Sequence, residues 1–451
     1  MTVPTYTSFA GQVDAAQEIA AATGDLDLLQ ADRPGYGTRN ILEVSFNMVN
    51  ATVGAGVIGL PMAIYYAGFF NGLVLSAVVG ILTYLAVHTM ILAAKRAGVY
   101  KFAALGEHVL GRPGFYLLNM MLFIQSAGSC VSYIIIVADT LPVLLGLYLP
   151  QFPFLAHRER MTILISVLAI FPLNLPRSIG ALASWSTVSV LLLPVMIVTF
   201  LIRAPAYAPL HDAPLTFLGE DPISALGIMS FALVCTQVAL SNFLSQRNQS
   251  VSGWRATTFV STLISWSISM AFAFIGYLSF GKDVQSNIFS NFPADDNVIN
   301  VGRLALGVSM ILTVPMAFYP ARDAAQKILG YETAHRQPST LQHHAVTVAL
   351  FSVFLVLGVS VHSLGKVYSV VGGVASSFLA YMMPALAYLG IFHPTWLPWQ
   401  RRSTSEQTPL LIKEGEDMEA QPALAYDVGT IVCLLFGSFL MFFTLVKAFI
   451  S

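Results

Sequence analysis

The residues best suited to chemistry stand in the middle of the first apolar segment. There Asn47, Asn50, Thr52, Gly54, Gly56, Gly59 and Pro61 interrupt an otherwise hydrophobic run. Glycine and proline both weaken regular helical backbone. In a hydrocarbon environment, broken backbone survives only where protein buries it or where it lines a cavity. A break frees N–H groups on one half of the helix and C=O groups on the other. The N–H end can hold a carboxylate and the C=O end a cation. The chemistry expected here is therefore binding of a small zwitterion or an ion. Close helix packing through Gly54 and Gly56 is the plainer alternative, and the neighbouring Asn50 and Thr52 weigh towards binding.

Two further segments carry polar residues inside apolar runs. The sixth holds Ser230, Phe231, Ala232, Cys235, Thr236 and Gln237, with no glycine or proline at its centre. Its polar cluster needs partners in a dry environment; interhelical hydrogen bonding accounts for it nearly as well as a second break. The eighth holds Ser309, Thr313, Pro315 and Pro320. Pro315 leaves the Ile311 carbonyl without its donor, and Thr313 adds a hydroxyl oxygen. Hard cations prefer oxygen ligands, so Thr313 with first-segment carbonyls makes a candidate sodium site. A proline kink with a self-bonded threonine is the alternative. Asp139 is read as interfacial at the end of the third span, and His88 and His362 as structural. No Asp or Glu lies at a clear mid-membrane position, which disfavours a carboxylate proton relay. No acidic or histidine pair recurs at catalytic spacing within the spans, so an enzyme is not expected. Cys130, Cys235 and Cys433 sit singly in apolar runs and suggest neither disulfides nor a metal centre.

Such residues need helices that cross a membrane to position them. Of 451 residues, 56% are hydrophobic and 10% charged, and the mean hydropathy is +0.72. A soluble domain carries about 25% charged residues, so the apolar surplus must face lipid. A net charge of −1 gives no reason to expect a nucleic-acid partner. A span needs roughly 20 apolar residues. Eleven candidates fall at about 41–66, 69–94, 115–140, 160–176, 180–202, 223–246, 255–280, 300–320, 341–364, 366–392 and 426–449. The expected organisation is a cytosolic tail (1–40), a ten-helix core (41–392), a cytosolic linker (393–425) and an eleventh helix (426–451). Placing the N-terminus in the cytosol puts most of the 22 Lys and Arg residues on that side, among them Arg39, Lys95, Arg96, Arg247, Arg255, Arg322, Arg401 and Arg402. Phe102 to Leu110 reads as a short amphipathic helix at the interface. In the linker, Glu406, Leu410 and Leu411 fit an acidic dileucine sorting signal, with a sorting adaptor as its partner.

The first-segment pattern from Asn47 to Pro61 resembles the signature of the amino acid/auxin permease family. The resemblance extends through Leu105, Glu107 and Gly111, Asp139 and Pro142, Phe171 to Arg177, and Thr313, Pro315, Tyr319 and Pro320. It covers spans 1 to 10. It implies an all-α, leucine-transporter-like fold of two inverted five-helix repeats plus a C-terminal helix, with helices 1 and 6 unwound. It implies a substrate carboxylate held near Thr52, Val53, Gly54, Ala55 and Gly56, and an amine held near Phe231, Ala232 and Cys235. Tyr133 would wall the pocket, and Asn50 and Thr313 would share a cation. The implied activity is secondary transport of a small neutral amino acid coupled to Na+ or H+, in a vacuolar, lysosomal or plasma membrane. An amino-acid sensor signalling through the N-terminal tail would use the same pocket.

Overall fold

The computed structural model describes residues 34–177, 183–332, 337–396 and 423–450. The dileucine residues Glu406, Leu410 and Leu411, and nearly all of the N-terminal tail, lie outside these.

The first apolar segment forms two helices, α1 (Ile41–Thr52) and α2 (Leu60–Ala67), joined by a 3-10 turn over Ala55–Gly59. A capping box fixes the start of α1: the Asn40 side chain accepts from the Glu43 N–H while Glu43 accepts from Asn40. Two long helices follow, α3 (Phe69–Ala97) and α4 (Phe102–Tyr148). Within α4, Gly111 takes φ 66°, a conformation that favours glycine. It separates the expected short helix from the span, and Leu105 and Val109 bury that short helix against the protein.

Helix α5 (Arg158–Ile165) continues through a π turn, Ser166–Ile170, to Phe171–Leu173. Next come α6 (Ala183–Arg203), α7 (Pro222–Leu233), α8 (Thr236–Ser245), α9 (Val251–Phe280), α10 (Asn297–Ile328) and α11 (Thr340–Ser360). The tenth segment runs from α12 (Leu364–Val371) through two π turns into α13 (Met383–Phe392), and α14 (Leu424–Ile450) ends the chain.

Among the described residues, nine helical segments are long and apolar enough to cross a membrane, and the bent α1–α2 pair makes a tenth. The fourth expected span does not reach that length: its helix stops at Leu173, shortly before Pro176. A second correction concerns Asp139 and Pro142, expected at the end of the third span. They lie inside α4, which continues to Tyr148. Pro142 removes one backbone donor without ending the helix, and Asp139 is held by Arg158 at 3.0 Å and by Asn287 at 3.3 Å.

The helices sort into two packed groups. Helix α10 lies against α4 and α6, and α11 against α4. Helix α2 packs on both α7 and α9, with α12 against α7, α13 against α3, and α14 along α3 and α13. Large apolar side chains such as Leu191, Val198, Val356, Leu435 and Phe442 are exposed on the outer faces. In water this would be costly; in a bilayer these are the lipid-facing positions. Cys130, Cys235 and Cys433 are buried free thiols.

Candidate functional site

Helix α1 ends at Thr52 with Val53 at φ −80°, ψ 87°, and the chain bends by 50° before α2. Among the described residues no acceptor takes the N–H groups of Gly54, Ala55 or Gly56. They stand at the start of the 3-10 turn that leads into α2, where the helix dipole favours negative charge. The first segment is thus unwound at the position its glycines indicate.

The sixth segment is broken too. Helix α7 stops at Leu233, Val234 is extended, and Cys235 (φ −141°, ψ 5°) precedes α8. The last carbonyls of α7 lose their helical donors there. Neither glycine nor proline makes this break. Tertiary contacts hold it: the Thr236 hydroxyl donates to the Leu379 carbonyl at 2.8 Å, and Tyr381 donates to Ser230 at 3.2 Å. Both acceptor and donor here come from the π-helical stretch between α12 and α13, where the wider turn frees backbone groups.

The two breaks face each other. Thr52 and Cys235 line one small cavity between them. A Cβ placed on Gly56 would lie 2.8 Å from the Ala232 Cα, so only glycine permits this approach. A Cβ on Gly54 would meet nothing within 4 Å, so the free N–H groups border open space. Phe231 stacks on Tyr368, with ring centroids 4.5 Å apart. The Tyr368 hydroxyl in turn donates to the Ala55 carbonyl, the first of the 3-10 turn, at 2.8 Å. The two breaks stand at the junction of two apolar clusters: Val49, Val53 and Leu233 belong to one, Val44, Met48 and Cys235 to the other. The unwound, polar midsection therefore sits between two dry layers.

The expected residues divide as follows. Thr52, Val53, Gly54, Ala55, Gly56, Phe231, Ala232 and Cys235 gather at the two breaks. Tyr133 lies half-buried on α4. Asn50 and Thr313 are not brought together. Asn50 is exposed near the end of α1, which packs on α8 and α9. The Thr313 hydroxyl is engaged by Ser189 of α6 at 2.5 Å and donates to Ser309 at 2.7 Å. Sequence reasoning missed Tyr368, Tyr381 and Ser189; a tyrosine or serine within an apolar span was the only signal.

On the side of the loops that follow α7–α8, main-chain bonds tie Arg39 to Ser245 and Arg247, and Lys95 reaches the Gln249 carbonyl. On the opposite side, Arg203 and Tyr207 converge on the buried Asp296 at 2.5 and 2.8 Å. Burial alone would raise the Asp296 carboxyl. Bonds from Arg203, Tyr207 and the Ile299 N–H outweigh it and hold the group below its ordinary value.

Comparison with known proteins agrees with this arrangement. The fold matches that of MhsT, solved in complex with L-phenylalanine, at a TM-score of 0.52 over 92% of this chain and 100% of that one, with 14% identity. The chain is 28% identical to the Saccharomyces cerevisiae vacuolar amino acid transporter 2 over 81% of its length and 78% of the relative's. It is 30% identical to the Bos taurus protein named "Putative sodium-coupled neutral amino acid transporter 11", over 76% and 74%. The family model described as transmembrane amino acid transporter protein matches residues 37–413. The chain is a multi-pass, leucine-transporter-like membrane protein that belongs to the transmembrane amino acid transporter protein family.

Proposed function

We propose that the protein is a secondary active transporter that carries a small neutral amino acid by alternating access around the breaks in its first and sixth segments, driven by Na+ or H+. The observation that carries this reading is the set of free N–H groups at Gly54, Ala55 and Gly56, opposite the carboxyl end of α7. The first would take a substrate carboxylate, and the carbonyls from Phe231 onward its ammonium group. No buried charge would be needed at either end, so an overall neutral zwitterion suits the site.

The names of the yeast and bovine relatives support amino acids as the cargo and a vacuolar or sodium-coupled setting. Electrical work is sufficient as a driving force: one charge crossing 100 mV is worth about 2.3 kcal/mol. Asn50 and Thr313 are kept as a candidate cation pair that would come together only in another conformation, since Thr313 is bonded to Ser189 here. An orientation with the N-terminus in the cytosol follows from the Lys and Arg distribution.

Uptake of a labelled amino acid panel into proteoliposomes, under an imposed Na+ or pH gradient, tests the proposal. Concentrative uptake of neutral amino acids under one gradient is expected, and Asn50→Ala or Thr313→Ala should weaken the ion dependence. Binding without flux under either gradient, together with a partner retained by residues 1–40, would favour the sensor instead.

A further inference from the structure

The two ends of the bundle treat their basic residues differently. At the end that carries Asp296, Arg158 holds Asp139 at 3.0 Å, Arg203 holds Asp296, Lys282 holds Asp212 at 2.8 Å, and Lys447 holds Asp221. At the other end such partners are missing. Among the described residues, no carboxylate pairs with Arg39, Lys95, Arg96, Arg247 or Arg255. Two acids of that end are committed elsewhere: the Glu43 carboxylate takes the Asn40 N–H, and Asp427 takes the Tyr388 hydroxyl and His393.

The fold gathers these cations. The Arg247 N–H donates to the Arg39 carbonyl at 2.8 Å, and Lys95 donates to the Gln249 carbonyl at 3.1 Å. The end of α3, the start of α1 and the α8–α9 loop therefore meet. Arg96 adjoins Lys95 and is exposed. Arg255, in the first turns of α9, donates to the Tyr426 hydroxyl of α14 at 2.8 Å. Like charges gathered without counter-charges repel one another, so the arrangement favours an anion from outside the chain.

The surface beside them is apolar and open to lipid. On α9, Arg255, Phe259 and Leu263 are spaced four residues apart and share one face. Phe259 is 56% exposed and Leu263 48%. Phe259 stands edge-on to Tyr84 of α3, with ring centroids 6.2 Å apart. On α14, Val428, Val432 and Leu435 are exposed as well. The α9 stripe thus runs from a guanidinium to large apolar side chains deeper in the span. A free anion would use only the charged end, whereas an amphiphile uses both.

We infer that this surface, formed by the ends of α3, α9 and α14 with the α8–α9 loop, binds the phosphate headgroups of anionic phospholipids, whose acyl chains lie along Phe259 and Leu263. In the proposed orientation it faces the cytosolic leaflet, where anionic lipids concentrate. The inference rests on the membrane fold and not on the cargo, so it can fail while the transport proposal stands.

The test is thermal unfolding of the purified full chain in detergent without amino acid, titrating phosphatidylserine, phosphatidylcholine of the same acyl chains, or water-soluble glycerophosphoserine. Phosphatidylserine should raise Tm saturably, with a midpoint that moves upward with added NaCl. Phosphatidylcholine and glycerophosphoserine should give no such rise at the same concentrations. Arg255→Gln and Arg96→Gln should each raise the phosphatidylserine midpoint by about fivefold, and the double variant by about 25-fold. Arg160→Gln, an exposed cation of the opposite end, should leave it unchanged. If Arg255→Gln does not fold, Arg96→Gln, on an exposed side chain, decides alone. Equal rises with phosphatidylserine and phosphatidylcholine, or a midpoint unmoved by Arg96→Gln, would overturn the surface. A rise with glycerophosphoserine equal to that with the lipid would overturn it in favour of a soluble-anion site.

Discussion

At Gly54 and Gly56, two glycines one residue apart have opposite surroundings. The Gly56 position abuts the Ala232 backbone, whereas the Gly54 position opens on empty space. Gly56→Ala should force the two breaks apart and cost about 1–3 kcal/mol, the usual range for overpacking. Gly54→Ala has room and an ordinary negative φ of −138°, so its Tm should stay close to the native value while uptake falls if the added methyl intrudes on the cargo. Thermal unfolding and uptake on both variants check this; equal destabilisation would contradict the geometry. Tyr368→Phe keeps the stacking on Phe231 but strips the bond from the Ala55 carbonyl. The Ala55 carbonyl keeps its bond within the 3-10 turn, so the lost hydrogen bond costs about 0.5–1.5 kcal/mol, and a slightly lower Tm together with reduced uptake is expected. The legibility of the site follows from the same chemistry. The first break shows in the sequence because glycine and proline announce it. Tyr368 is invisible there, since nothing local reveals which carbonyl a tyrosine 313 positions away will reach.

Helices and their ends explain where the sequence reading stopped. The sixth segment has no residue that must break a helix, and its break exists because the π turn before α13 takes over the hydrogen bonding of Ser230 and Thr236. Composition cannot express that, because the cause lies on another helix. Asp139 misled in the same way: an acid and a proline look like a helix end until Arg158 pairs with the acid and Asn287 donates to it inside α4. The Arg203–Asp296–Tyr207 cluster joins α6 to the start of α10 by the same means. Its pH behaviour has a definite sign. The Asp296 carboxyl is held below its ordinary value of 3.8, so its contribution is complete above that pH and is lost only as pH falls below it. Asp296→Asn should therefore lower Tm equally at neutral pH and at the mild acidity of a vacuolar lumen. The gap between variant and native protein should close only in stronger acid. A gap that already closes in mild acid would mean that the carboxyl is not held down by Arg203 and Tyr207.

For the whole molecule, alternation of the spans decides which loops share a side. The fourth segment is shorter than a regular span, yet the sides stay consistent. Arg39, Lys95, Ser245, Arg247 and Gln249 meet at one end of the bundle. Asp212 and Lys282, joined at 2.8 Å, meet at the other. If the short helix from Arg158 to Leu173 failed to cross, every later loop would change sides, and Arg39 could not bond Arg247 across a bilayer. In the proposed orientation, the end where these basic residues gather faces the cytosol. Single cysteines placed at Gln249 and at Phe217, in a background where Cys130, Cys235 and Cys433 are buried and unreactive, test this directly. In intact cells or vacuoles with the outer face of known side, an impermeant maleimide should label one position and spare the other until the membrane is opened. The Gln249 cysteine should react from the cytosolic face, and the Phe217 cysteine, whose native side chain is 79% exposed, from the opposite face. Labelling of both from one face would break the ten- or eleven-span alternation.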